Sequence, residues 1–120
     1  MYSPRGIDGK PVAAFDPITG AIDKNVVEHW KKYDLLQVFK SNWAELGPKL
    51  NGKIWIWMGD MDDFYLNNAM REMDSFLKSA TNPVSDAEII FEPAMGHCQG
   101  YNQRWVLEMM QEKIKKLNSN

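Results

Sequence analysis

The chain has 120 residues, with 14 Lys plus Arg against 16 Asp plus Glu, for a net charge of −2. That length suits one domain or part of one, and 44% hydrophobic with 25% charged residues is globular usage rather than disorder. The longest strongly apolar run, Ile54-Trp55-Ile56-Trp57-Met58, is far short of the roughly 20 residues of a membrane span. A slightly acidic chain without a Lys/Arg stripe is also a poor match for nucleic acid.

The single cysteine, Cys98, cannot form an internal disulfide, so no secreted disulfide scaffold is indicated, and a periplasmic location stays open. Residues 1–6 lack the basic-then-apolar pattern of a signal peptide. The sequence does not fix the compartment.

Residues 1–22 are punctuated by Pro4, Gly6, Gly9, Pro11, Pro17 and Gly20 too densely for a long regular element. Residues 23–50 read as helical. Asp23 offers an N-cap before Val26, Val27, Trp30 and Tyr33, and Asp34 caps a second piece with Leu35, Leu36, Val38 and Phe39. Gly47-Pro48 should stop that piece, and Asn51-Gly52 should make a tight turn. Residues 53–58 read as a strand covered on both faces, because five consecutive apolar residues lack alternation. Residues 65–80 follow as a helix, with Leu66, Ala69, Met70, Met73, Phe76, Leu77 and Ala80 in one stripe. Residues 87–92 form a second buried strand. Residues 102–117 form a last helix, with Trp105, Val106, Met109, Met110, Ile114 and Leu117 on one side and Lys113, Lys115 and Lys116 near its negative end. The order βαβα with short loops predicts an α/β fold with a parallel sheet over 53–117.

In such sheets, chemistry collects in the loops that follow the carboxyl ends of strands. Both of these loops carry titratable groups: Gly59-Asp60-Met61-Asp62-Asp63-Phe64, and Pro93-Ala94-Met95-Gly96-His97-Cys98-Gln99-Gly100. If the strands are neighbours, a first-loop carboxylate can orient the imidazole of the second loop as a general base.

On these motifs, the stretch from Gly52 to about Lys116 resembles the C-terminal end of the α/β-hydrolase superfamily, and most closely its esterase branch. There a strand ends in Gly-x-x-Asp, whose Asp is the triad acid, and a later strand leads into Gly-His, whose His is the triad base. Gly59-Asp60-Met61-Asp62 and Gly96-His97 match, and the roughly 35-residue spacing suits the last two βα units of that fold. The resemblance implies that Asp62 and His97 are catalytic and that no cofactor is needed. It implies a parent reaction of ester hydrolysis through an acyl-serine. The chain departs from the superfamily at the nucleophile. None of Ser3, Ser41, Ser75, Ser79, Ser85 or Ser119 lies in a Gly-x-Ser-x-Gly elbow.

Other readings of the same residues are weaker. Gly96-His97-Cys98-Gln99-Gly100 is formally a Gly-x-Cys-x-Gly elbow, but no His or Asp follows to serve a thiolate, so Cys98 reads as a small, partly buried neutral thiol. Asp60, Asp62 and Asp63 could ligate a cation, but Phe64 and Tyr65 stand where a calcium loop would continue. Asp63 reads as a helix-start carboxylate. His29 reads as solvated surface. Trp55 and Trp57 share a strand face as core rather than as a stacking platform, and no Gly-rich phosphate loop supports a flavodoxin-like domain.

The expectation is a single partial domain over 1–120. It is the C-terminal fragment of an esterase-like serine hydrolase, inactive alone, whose partner is the missing N-terminal part of the same hydrolase. A non-catalytic α/β interaction or self-association module is the alternative. Two strands with open edges further predict a homo-oligomer.

Overall fold

The computed structural model describes residues 2–119, without the Leu117 side chain. The chain divides into two compact units, Met1–Asn42 and Trp43–Asn120.

In the first unit the Gly- and Pro-rich start folds into two tight reversals, closed by isolated antiparallel bridges between Arg5 and Pro11 and between Phe15 and Ile22. Asp16 holds the second turn. Its carboxylate accepts from the Thr19 and Ile18 N–H groups at 2.8 Å each, and these bonds hold its pKa below the ordinary 3.8. Asp23 then caps α1 (Lys24–Trp30) by accepting from Asn25 N and Val26 N, and Val26 is the buried apolar residue of the helix. His29, expected on the surface, is half-buried with its ring centroid 6.1 Å from that of Tyr33. A single 3-10 turn (Lys31–Tyr33) leads to α2 (Leu35–Leu50), started by Asp34 accepting from Leu36 N and Gln37 N.

Helix α2 corrects one expectation. It does not stop at Gly47-Pro48 but breaks its regularity at Asn42 (φ −133°, ψ 18°) and then runs on to Leu50. Pro48 lacks an N–H, so it forfeits one helical bond, and the helix ends two residues later. In the second unit, Trp43 is buried, stands edge-on to Phe76 at 5.6 Å, and donates from Nε1 to the Pro83 carbonyl at 2.8 Å.

Strand β1 (Trp55–Gly59), α3 (Leu66–Ser79), β2 (Glu88–Glu92) and α4 (Gln103–Asn118) give the expected βαβα order. β1 and β2 pair in parallel from Trp55↔Glu88 to Gly59↔Glu92, so both strands end level at one edge. The fold is mixed α/β with a two-stranded parallel sheet. Helix α3 buries Met73 and Leu77, two members of its sequence stripe. Asn102 caps α4 by accepting from Arg104 N and Trp105 N.

The strands are not covered on both faces. Residues 55–58 are half-buried, and β2 is half-buried apart from the exposed Glu88. The reason lies in α4, which is tied to the sheet by an edge-on Trp55–Trp105 contact at 4.9 Å and a Lys113–Glu88 pair at 3.6 Å. Trp105, Leu107, Met110 and Ile114 remain exposed, and the expected contribution of Leu117 lies outside the described residues. The chain exposes 9269 Å². A single folded domain of 13.9 kDa exposes about 6,700 Å², and two separately folded units of these lengths about 8,000 Å². Exposed large apolar side chains, among them Trp105, Leu107, Met110 and Ile114 of α4, contribute to this surface.

Candidate active site

The level ends of β1 and β2 deliver their loops side by side. Asp60 N donates to the Glu92 carbonyl and Met61 N to the Met95 carbonyl, both at 2.9 Å. Gly59 makes this approach possible. A Cβ there would lie 2.4 Å from both the Met95 and the Gly96 carbonyl oxygens.

The structure brings Asp62 and His97 together, with Oδ2 of the carboxylate 2.7 Å from Nδ1 of the ring. Asp62 is 5% exposed, and its other oxygen, Oδ1, accepts from Phe64 N at 2.9 Å and Leu66 N at 3.2 Å. Burial pushes the Asp62 carboxyl up. The bonds from the His97 ring and from the Leu66 and Phe64 N–H groups outweigh it and hold the pKa below the ordinary 3.8. An ionised carboxylate only accepts, so the proton of this contact sits on Nδ1. The neutral imidazole therefore keeps its lone pair on Nε2. The side chain of His97 is 38% exposed, enough for a reacting group to reach it.

Asp63 departs from the sequence reading. It is Asp62 that bonds the N–H groups at the start of α3, while Asp63 Oδ2 accepts from the His97 main-chain N–H at 3.2 Å. Asp60 is paired with Arg71, and its carbonyl accepts from Asn67 Nδ2 at 2.6 Å. Among the described residues no three His, Cys, Asp or Glu side chains group as metal ligands.

Cys98, expected partly buried, is exposed and sits in the left-handed region at φ 53°. Tyr65 (φ 60°) and Ala94 (φ 58°) share that conformation, which costs an L-residue about 1–2 kcal/mol. Three left-handed non-glycine residues thus occur in or beside the two loops that carry Asp62 and His97. Such strain persists where surrounding contacts over-determine it.

Three further side chains escaped the sequence reading. Phe64 stands edge-on to the His97 ring, with centroids 4.8 Å apart and planes at 87°. Trp57 and Tyr101 line a cavity of about 130 Å³ together with Met58, Gly59, Asp62, His97 and Cys98. The position of Trp57, two residues before the strand-ending Gly59, was the available signal, but an apolar strand context reads as core. Comparison of the chain with protein-family models, curated proteins and solved structures finds no match.

Proposed function

We propose that this chain is the acid–base portion of an esterase-like serine hydrolase, with an α/β-hydrolase arrangement completed by a nucleophile-bearing partner segment. The observation that carries the reading is the buried, ionised Asp62 bonded at 2.7 Å to Nδ1 of His97, with Nε2 left to act. In acyl transfer, Nε2 takes the proton of a serine hydroxyl as it attacks an ester carbonyl, then returns that proton to the departing alcohol. Nε2 next accepts a proton from water as it attacks the acyl-serine, and gives it to the serine oxygen as the carboxylic acid departs. Asp62 holds the tautomer and stabilises the imidazolium formed in each step. The chemistry calls for no cofactor.

The chain supplies no Gly-x-Ser-x-Gly of its own, so alone it is inactive. The experiment is to sequence the coding region upstream and co-express any in-frame segment bearing that elbow. Hydrolysis of p-nitrophenyl acetate that disappears in both His97→Ala and Asp62→Asn supports the reading; an upstream region without an elbow removes it. The second reading, a self-association module, is favoured by the exposed Trp105, Leu107, Met110 and Ile114 of α4, and would then stand alone.

A further inference from the structure

Three consecutive residues hold three different parts of His97. Asp62 takes the ring at Nδ1, Asp63 takes the main-chain N–H, and Phe64 stands edge-on to the imidazole. Of the two carboxylates, Asp62 already supplies the bonds that begin α3, so the Asp63 carboxylate is free to reach the opposite loop. The glycine before the histidine belongs to the same arrangement. A Cβ on Gly96 would lie 2.9 Å from Asp63 Oδ2, and Gly96 N donates instead to Gln99 Oε1 at 2.9 Å. Left-handed residues stand on either side of His97, at Ala94 and Cys98, so this loop is not held by its own local preferences.

We infer that Asp63 is a positioning residue: its carboxylate pins the His97 main chain so that the ring, swinging from a fixed Cα, presents Nδ1 to Asp62. The role rests on the reading of His97 as the base. Asp63 touches no reacting atom and acts only through His97.

The test is nitrogen-15 NMR on the full chain, reading the His97 ring tautomer and the exchange rate of its backbone amide. The wild type should show a protected amide and the ring proton on Nδ1. Asp63→Ala should speed exchange of that amide by about tenfold and lower the Nδ1–H fraction. Asp63→Asn, whose side-chain oxygen still accepts, should restore both. Wild-type exchange and tautomer in folded Asp63→Ala would overturn the inference, as would an Asn variant no better than Ala. Should Asp63→Ala fail to fold, an unprotected His97 amide in the folded wild type overturns it without any variant. Asp62→Asn separates the two claims. A wild-type tautomer there overturns the acid–base reading, whereas a shifted tautomer there with none in Asp63→Ala overturns the positioning role alone.

Discussion

Gly59→Ala tests whether the close approach of the two loops sets the Asp62–His97 contact. The added methyl would lie 2.4 Å from the Met95 and Gly96 carbonyl oxygens, and these are backbone atoms that cannot swing aside. Relief to the 3.0 Å that real Cβ contacts respect requires the loops to part by about 0.6 Å. If the shift is carried into the neighbouring contact, the 2.7 Å between Asp62 Oδ2 and His97 Nδ1 opens to about 3.3 Å, beyond the range of a firm hydrogen bond. The same movement stretches the two 2.9 Å backbone bonds that join the loops. Overpacking of this kind costs about 1–3 kcal/mol. Urea unfolding should therefore show a lower midpoint at unchanged slope, and nitrogen-15 spectra should show the His97 proton redistributing away from Nδ1. A variant with the wild-type midpoint and the wild-type tautomer would refute the reasoning, because the loops would then tolerate a separation that this geometry forbids.

The lowered Asp62 pKa sets the sign of a pH effect. The unfolded chain binds this proton more readily, so the stabilisation is complete above the ordinary 3.8 and is lost as pH falls through the lower folded value. Urea midpoints should fall more steeply between about pH 5 and about pH 3 in the wild type than in Asp62→Asn, and parallel curves would contradict this. With small chromogenic esters the chain alone should show only background hydrolysis, since loss of a serine nucleophile costs on the order of 10⁶ in turnover. Measurable activity abolished by Cys98→Ala would show that the thiol is the nucleophile instead. Self-association, if it occurs through the sheet, should use β1: antiparallel pairing of two β2 edges sets Glu88 of one copy against Glu92 of the other, while β1 offers an uncharged edge centred on Trp57. Light scattering should report a dimer that Ile56→Lys converts to monomer; a wild-type monomer that unfolds cooperatively would overturn this.

The elements of the second unit were legible because their signals are local. The 54–58 apolar run, the α3 stripe and the Asn102 cap each depend on residues within a few positions, and the structure places them within one or two residues of expectation. The meeting of Asp62 with His97 was legible for a different reason: parallel neighbouring strands must deliver their following loops to the same edge. What escaped depends on contacts distant in sequence. Asp63 reads locally as a carboxylate of its own helix, and nothing nearby in sequence shows that the His97 N–H, 34 positions away, competes for it. Half-burial of β1 was missed because periodicity says that a face is apolar, not that anything covers it. Pro48 signals a stop, whereas the break at Asn42, which leaves only a short helix after it, has no residue signal of its own.

The sharing of Asp62 between α3 and His97 has a dynamic consequence. A carboxylate with one oxygen on the Phe64 and Leu66 N–H groups and the other on the imidazole links the start of α3 to the His97 ring through one side chain. Melting of the first turn of α3 frees the carboxylate that holds the ring, so it should loosen the His97 contact as well. Exchange of the Phe64 and Leu66 amides then becomes a clock for those openings in which Asp62 also leaves the His97 ring. Helix α4, anchored at Trp105 and Lys113, can fray at its far end without being counted by that clock.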